Sequence, residues 1–296
     1  MKVFKKNSRW KFEVDETGRT VKIVRGHIGR CKTFRIPQNV IIDEVVYQVK
    51  SVDLCAFNSP RTLKRLIIPD GVQFVDECNF NYCANLRVVY LGKSVEYILP
   101  YSFPINKPRV KVIINKENQH LDCQDGIICT SEGIAICSLG VHRNLVIPEG
   151  VKIIGPLTFN GNDRLVEVKF PSTLKVIEDN GLSQCENLKQ IILPEGFEYI
   201  DVQALMDNIN LNLVDLPSTI VSLGYEALRG CNNLRALIIR SKRLLEPNLR
   251  PNETFEFSAN CELFVPENLV QAYKAHLVWG KFKSINPLKK LKDGIK

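Results

Sequence analysis

Apolar residues in this chain return in short blocks at a fixed step. Leu145-Val146-Ile147 precedes Pro148, Val168-Lys169-Phe170 precedes Pro171, Ile191-Ile192-Leu193 precedes Pro194, and Val214-Asp215-Leu216 precedes Pro217. These prolines are 23 residues apart, and Arg240 continues the step after Leu237-Ile238-Ile239. Upstream, Pro69, Gly92 and Asn115 keep the spacing behind apolar runs of their own, and Pro37 after Phe34-Arg35-Ile36 marks an earlier unit. A second column repeats with it: Phe57, Phe80 and Phe103, then Phe159, Leu182, Leu205 and Leu228. Apolar pairs such as Val72/Val75, Val151/Ile154 and Ile220/Leu223 lie between the columns. A period of this length predicts a stacked repeat architecture. Three short inward-facing segments per unit wrap once around a core, and proline closes the strand because it has no N–H for a ladder bond. Each unit is too small to bury its apolar face alone and must stack on a neighbour.

Two interruptions break the period. The first unit carries extra residues around Asp43-Glu44, and a second excess falls between Asp122 and Asn144. Within the latter, Gly126-Ile127-Ile128-Cys129 and Ile134-Ala135-Ile136-Cys137 flank a polar Thr130-Ser131-Glu132-Gly133 and predict a β-hairpin. Trp10–Val14 and Thr20–Val24 alternate around Asp15-Glu16-Thr17-Gly18, which predicts a capping hairpin. At the other end Glu262–Val265 predicts a last strand before Pro266, and Glu267–Val278 has amphipathic helical spacing through Leu269, Ala272, Tyr273 and Leu277.

The units Asn187-Leu-Lys-Gln-Ile-Ile-Leu-Pro-Glu-Gly-Phe-Glu-Tyr-Ile and Thr62-Leu-Lys-Arg-Leu-Ile-Ile-Pro-Asp-Gly-Val-Gln-Phe-Val resemble the BspA-like leucine-rich repeats. The long first unit, the insertion at Asp125-Gly126 and the ending from Val265-Pro266 to Trp279 are similar to features of that family too. The resemblance, over roughly residues 30 to 287, implies a mostly β, α/β-type repeat fold, a right-handed solenoid of about nine 23-residue units. We divide it into a capping hairpin at 1–30, the solenoid at 31–258 with its insertion at about 122–144, and a C-terminal cap with basic tail at 259–296. The family also implies binding to other proteins from a cell-surface or secreted position, although fold alone does not fix function.

Composition narrows the functional classes. The 296 residues are 45% apolar with a net charge of +8, enough for a sizeable core and incompatible with disorder. Lys2, Lys5, Lys6, Arg9 and Lys11 precede residue 12, and six lysines against one aspartate follow residue 280. Residues 12–280 therefore sum to −2, which argues against a nucleic-acid groove along the body. Lys289, Lys290 and Lys292 read as a solvated tail. No apolar run approaches the ~18 residues of a membrane span, so no membrane insertion is expected. The start at Met1 shows no signal-peptide pattern, which points to the cytoplasm if Met1 is the native start and leaves the compartment open against the family's habit.

Candidate chemistry is sparse. None of the ten cysteines forms a Cys-x-x-Cys pair, and the histidines His27, His120, His142 and His276 are scattered, so no metal or other cofactor is expected. Nucleotide, zinc-protease and serine-hydrolase motifs are absent, and we expect a non-enzymatic protein. Cys83, Cys185 and Cys231 share one repeat position and read as buried thiols. Cys55 and Cys78 lie one period apart, close enough in adjacent turns for a disulfide.

The most informative column lies two residues before each proline position and faces outward by strand alternation. It reads Arg35, Ile67, Tyr90, Ile113, Val146, Lys169, Ile192, Asp215, Ile238, an apolar stripe that either stabilises the ladder or binds a protein partner or a second copy of the chain. Lys64, Arg87, Lys189 and Arg235, five residues before the proline position, form a basic rim or simply guard the strand starts. The candidate partner-binding residues are therefore Ile67, Tyr90, Ile113, Ile192 and Ile238, with the four rim cations. A self-assembling role and an intracellular inhibitor or immunity-type role are the alternatives to a surface adhesin. Nothing in the pattern identifies the partner.

Overall fold

The computed structural model describes residues 2–6, 10–57, 60–99, 101–103, 110–139, 142–246 and 260–291. They fall into two compact units, Met1–Val141 and His142–Lys296.

The first unit opens with an antiparallel meander of β1 (Lys2–Lys6), β2 (Trp10–Asp15) and β3 (Thr20–Gly26). The turn between β2 and β3 closes through Asp15, whose Oδ1 accepts the N–H groups of Thr17 and Gly18. The meander extends the expected hairpin by one strand. After β4 (Thr33–Arg35), the extra residues of the first repeat form an antiparallel hairpin, β5 (Asn39–Ile42) and β6 (Val45–Val52). Asp43 and Glu44 make its tight turn with φ of 51° and 65°. The chain then settles into its period with β7 (Arg65–Ile68), β8 (Phe74–Val75), β9 (Val88–Leu91), β10 (Tyr97–Ile98) and β11 (Lys111–Ile114). β4, β7, β9 and β11 form one parallel sheet, while β3, β6, β8 and β10 form a second parallel ladder. β12 (Leu121–Gln124), β13 (Ile127–Thr130) and β14 (Ile134–Ser138) end the unit as an antiparallel meander, one strand more than the expected hairpin.

The second unit alternates long and short strands: β15 (Asn144–Val146), β16 (Ile153–Ile154), β17 (Glu167–Lys169), β18 (Val176–Ile177), β19 (Gln190–Ile192), β20 (Tyr199–Ile200), β21 (Leu213–Leu216), β22 (Ser222–Leu223) and β23 (Ala236–Ile239). The short ones stack as a parallel ladder, and the long ones form parallel pairs in register. β24 (Glu262–Val265) adds to β23 as expected, and β25 (Ser284–Pro287) adds in turn to β24, which sequence reasoning missed. The helix between them, α1, spans Val270–Ala275 with a 3-10 turn before it, shorter than the spacing suggested. Of its expected apolar face Tyr273 is buried, while Leu277 lies beyond the helix and is 89% exposed.

Stacking explains why each unit holds. Inward residues of the long strands, such as Leu66/Ile68, Val89/Leu91 and Val214/Leu216, are buried, as are the pairs Val72/Val75 and Ile220/Leu223. Phe57, Phe80 and Phe103 stack with centroids 5.3 and 6.3 Å apart, and Trp10 closes the end of that column against Phe57 at 5.5 Å. Side chains also satisfy backbone groups of the neighbouring turn. Asn85, Asn187, Asn210 and Asn233 donate to the carbonyls of Arg61, Asp163, Glu186 and Ile209. Where the proline position holds Gly92, Asn115 or Arg240, its N–H donates to the turn before, to Ile68, Leu91 and Leu216.

Candidate functional site

The outward face of the first unit's parallel sheet gathers four of the nine stripe positions, Arg35, Ile67, Tyr90 and Ile113. Strand register places Arg35 beside Ile67, Ile67 beside Tyr90 and Tyr90 beside Ile113. Their inward neighbours are tied into the core, so alternation leaves these four on the open side. Ile67, Tyr90 and Ile113 are half-buried and Arg35 is exposed. Together they line a depression of about 290 Å³ that runs to Asp70, Gly92 and Asn115 at the strand ends. The rim cations Lys64 and Arg87 are exposed at the strand starts, where Arg87 N–H donates to the Lys64 carbonyl.

The second unit treats the same column differently. Ile192 is 52% exposed and Val146 59%, with the exposed Lys169 in the turn between them. Ile238, expected on this open face, is instead completely buried, and Asp215 is 8% exposed. The cause is the chain end: Leu291 and Leu288 pack with Ile238, Ala236, Leu213 and Phe264 in a separate apolar cluster. Lys289 and Lys290 are exposed, as the sequence leads one to expect of a solvated tail, but Leu288 and Leu291 beside them turn inward, a pairing of leucines among the lysines that the tail reading does not use; Lys292 lies outside the described residues. Lys189 and Arg235 remain exposed and flank a larger, polar depression of about 610 Å³ with Asn210, Asn212 and Asn233.

Elsewhere the structure offers little chemistry. Cys83, Cys185 and Cys231 are buried, and burial pushes the Cys185 and Cys231 thiols up to about 12. Cys185 donates to the Phe159 carbonyl and Cys231 to that of Leu205, so they fill structural niches. Cys55 and Cys78 are free thiols side by side, with Cys78 raised by burial and by its neighbour. His276 pairs with Glu246 at 3.1 Å on the surface. Among the described residues no group of three or more His, Cys, Asp or Glu side chains is placed to hold a metal ion, and no helix is long and apolar enough to cross a membrane.

The comparisons agree on the architecture. The model of the BspA type leucine rich repeat region matches residues 32–123 and 137–247, in six copies. No curated protein matches the sequence. The pneumococcal vaccine antigen PcpA is similar with a TM-score of 0.58 at 14% identity, over 98% of this chain and 100% of that one. A leucine-rich repeat protein from Eubacterium ventriosum gives 0.51 at 13% identity, over 95% and 83%. At such identities the likeness is one of fold, a β-solenoid of 23-residue turns.

Proposed function

This chain belongs to the BspA-type leucine-rich repeat family, and from that premise we propose that it holds a partner protein on the outward sheet face of its first unit. The observation that carries the reading is the depression over Ile67, Tyr90 and Ile113, apolar at its centre and built on strands held rigidly in register. A preformed face of this kind loses little ordering entropy on association. No reaction is involved: binding is the function, and the family's repeat architecture supports that class. An adhesin-like position at a cell surface is the setting we favour for it, on the family's general habit.

The test places a photo-crosslinking residue at Tyr90 and exposes the protein both to its native lysate and to extracellular matrix proteins. We expect a discrete crosslinked protein that disappears in an Ile67→Glu/Ile113→Glu variant of unchanged melting temperature. Crosslinks that persist in the variant, or none from either source, would overturn the reading.

A further inference from the structure

The same face carries a charge pattern that the overall balance of the chain conceals. Around the depression, Lys32, Arg35, Lys64, Arg65, Arg87 and Lys111 are all exposed. Register fixes their arrangement. Arg65 and Lys111 stand on either side of Val88 in neighbouring strands, on the same outward side as Ile67 and Ile113. Lys32, Lys64 and Arg87 follow one another on successive turns at the strand starts, joined by backbone hydrogen bonds from Lys64 and Arg65 to Lys32 and from Arg87 to Lys64. Among the described residues none of the six forms an ion pair, and Arg87 spends one guanidinium hydrogen on the Leu86 carbonyl. The segments 32–35, 64–67, 87–90 and 110–113 that build the face contain no acid. Asp70 stands at its far edge, where its Oδ1 already accepts the Lys93 N–H. The equivalent face of the second unit is mixed in sign: Glu167 lies among its cations, and Asp215 is taken by Arg240.

Six exposed cations without an ion-pair partner among the described residues, set around a recessed apolar centre, call for a ligand of opposite pattern. We propose that the partner presents an acidic segment carrying an apolar or aromatic side chain, the carboxylates meeting the cations while the anchor enters the depression over Ile67, Tyr90 and Ile113. The inference rests on the binding reading above and gives its partner a chemistry. The shape favours this occupant over other anions. The apolar groups are half-buried and the cations stand out, the reverse of a surface that inserts into a bilayer. Among the described residues no row of exposed aromatic rings stands between the six cations for bases to stack on, which single-stranded nucleic-acid grooves use. The depression, at about 290 Å³, sits at the lower limit of small-molecule pockets and suits one large side chain.

Fluorescence anisotropy tests it on the full chain with three labelled peptides: a Glu/Asp-rich peptide with one central Phe, its Gln/Asn counterpart, and the acidic peptide with Ser in place of Phe. We expect the first to bind best, more weakly as salt rises, and about tenfold or more weakly in Arg65→Glu/Lys111→Glu. The control Lys189→Glu/Arg235→Glu in the second unit should bind as the wild type does. The inference is overturned if the acidic Phe peptide does not bind at low salt, if the Gln/Asn peptide binds as well, or if the charge reversal has no effect. Heparin, duplex DNA or anionic phosphatidylglycerol vesicles displacing the peptide and showing equal sensitivity to the reversal would overturn it in favour of a general polyanion surface. Failure of the binding reading itself looks different. There the native crosslink at Tyr90 survives Ile67→Glu/Ile113→Glu, whereas failure of this inference alone leaves that crosslink lost in the apolar variant and intact in the charge reversal.

Discussion

The carboxylate of Asp215 accepts two hydrogen bonds from Arg240, from Nε at 2.8 Å and from the Nη2 nitrogen at 2.7 Å. Asp215 is nearly buried on the outward face, and Arg240 occupies the position that proline holds in the other turns of this unit. Planar two-point contacts of this kind are strong, and removing one partner leaves a buried charge uncompensated. Arg240→Pro, which restores the commonest residue of the repeat, should therefore destabilise. It breaks the pair and also removes the N–H that donates to Leu216. With Arg240 about a third exposed, we expect a loss of about 2–3 kcal/mol by urea denaturation. An Asp215→Leu/Arg240→Met double variant should return most of it, because the charge to be compensated is gone. A neutral or stabilising Arg240→Pro would show that the pair contributes nothing.

The chain end acts as a cover. Leu291 is 5% exposed and packs with Ile238, Phe264 and Leu213, all of which would otherwise face solvent from β21, β23 and β24. Leu291→Ala should cost about 2 kcal/mol, at the low end for a buried leucine because the cluster is small. Amide exchange should localise the effect, with protection falling in β23 and β24 while β16, β18 and β20 hold theirs. Uniform exchange across the unit would mean that the end is not a local cover.

Asn208 stands where Cys185 and Cys231 stand in the neighbouring turns. Its amide donates to the Leu182 and Leu205 carbonyls at 3.0 and 2.7 Å, and its Oδ1 accepts the Cys185 N–H at 2.9 Å. Asn208→Cys makes the column uniform, and by analogy with the bonds from Cys185 to Phe159 and from Cys231 to Leu205, a thiol there can replace only the bond to the Leu182 carbonyl. The Cys185 N–H is left buried and unsatisfied, at a cost of about 1–3 kcal/mol. Melting temperature should fall in Asn208→Cys and fall further in Asn208→Ala. Equal stability of the cysteine variant would mean that the asparagine bonds add nothing.

These residues show where the sequence is readable. Period, strand positions, hairpins and buried columns follow from local pattern, since an inward residue in one turn is inward in the next. The grouping of Ile67, Tyr90 and Ile113 follows from the same rule, because parallel strands in register bring equivalent positions together. Ile238 breaks the rule because what covers it arrives from more than 40 residues further along, outside the repeat. The unpaired cations were half visible: Lys64 and Arg87 stand in the rim column, whereas Arg65 and Lys111 emerge once alternation is applied one position on. The left-handed corner before the Phe/Leu column left no signal. Cys55, Cys78, Tyr101, Leu157, Asn180, Gln203 and Glu226 adopt φ between 49° and 59° there, and none is glycine. Stacking in neighbouring turns fixes that conformation without requiring the residue that prefers it.

Tyr273 ties the C-terminal cap to the last turns and gives a pH-dependent prediction. Its hydroxyl accepts the Leu245 N–H at 3.0 Å, and the Leu245 carbonyl accepts the Trp279 indole N–H at 2.6 Å. The ring is fully buried beside Trp279, at a centroid distance of 5.8 Å. Burial is the main force pushing the phenol up to about 12, with the Glu246 charge adding to it and the Leu245 bond opposing it. A raised folded value favours the protonated form. The associated stability is therefore complete below the unfolded value of about 10 and is lost as pH rises from there through about 12. Tyr273→Phe should be less stable at pH 8 by about 1–2 kcal/mol, since the Leu245 N–H loses its acceptor. That gap should close as pH climbs past 10, because the wild type alone pays for ionising a buried phenol. Urea denaturation of both proteins between pH 8 and 11.5 reads the difference, in which all other titrating groups cancel. A gap that stays constant over that range would mean that the Tyr273 phenol ionises in the folded cap as readily as in the unfolded chain.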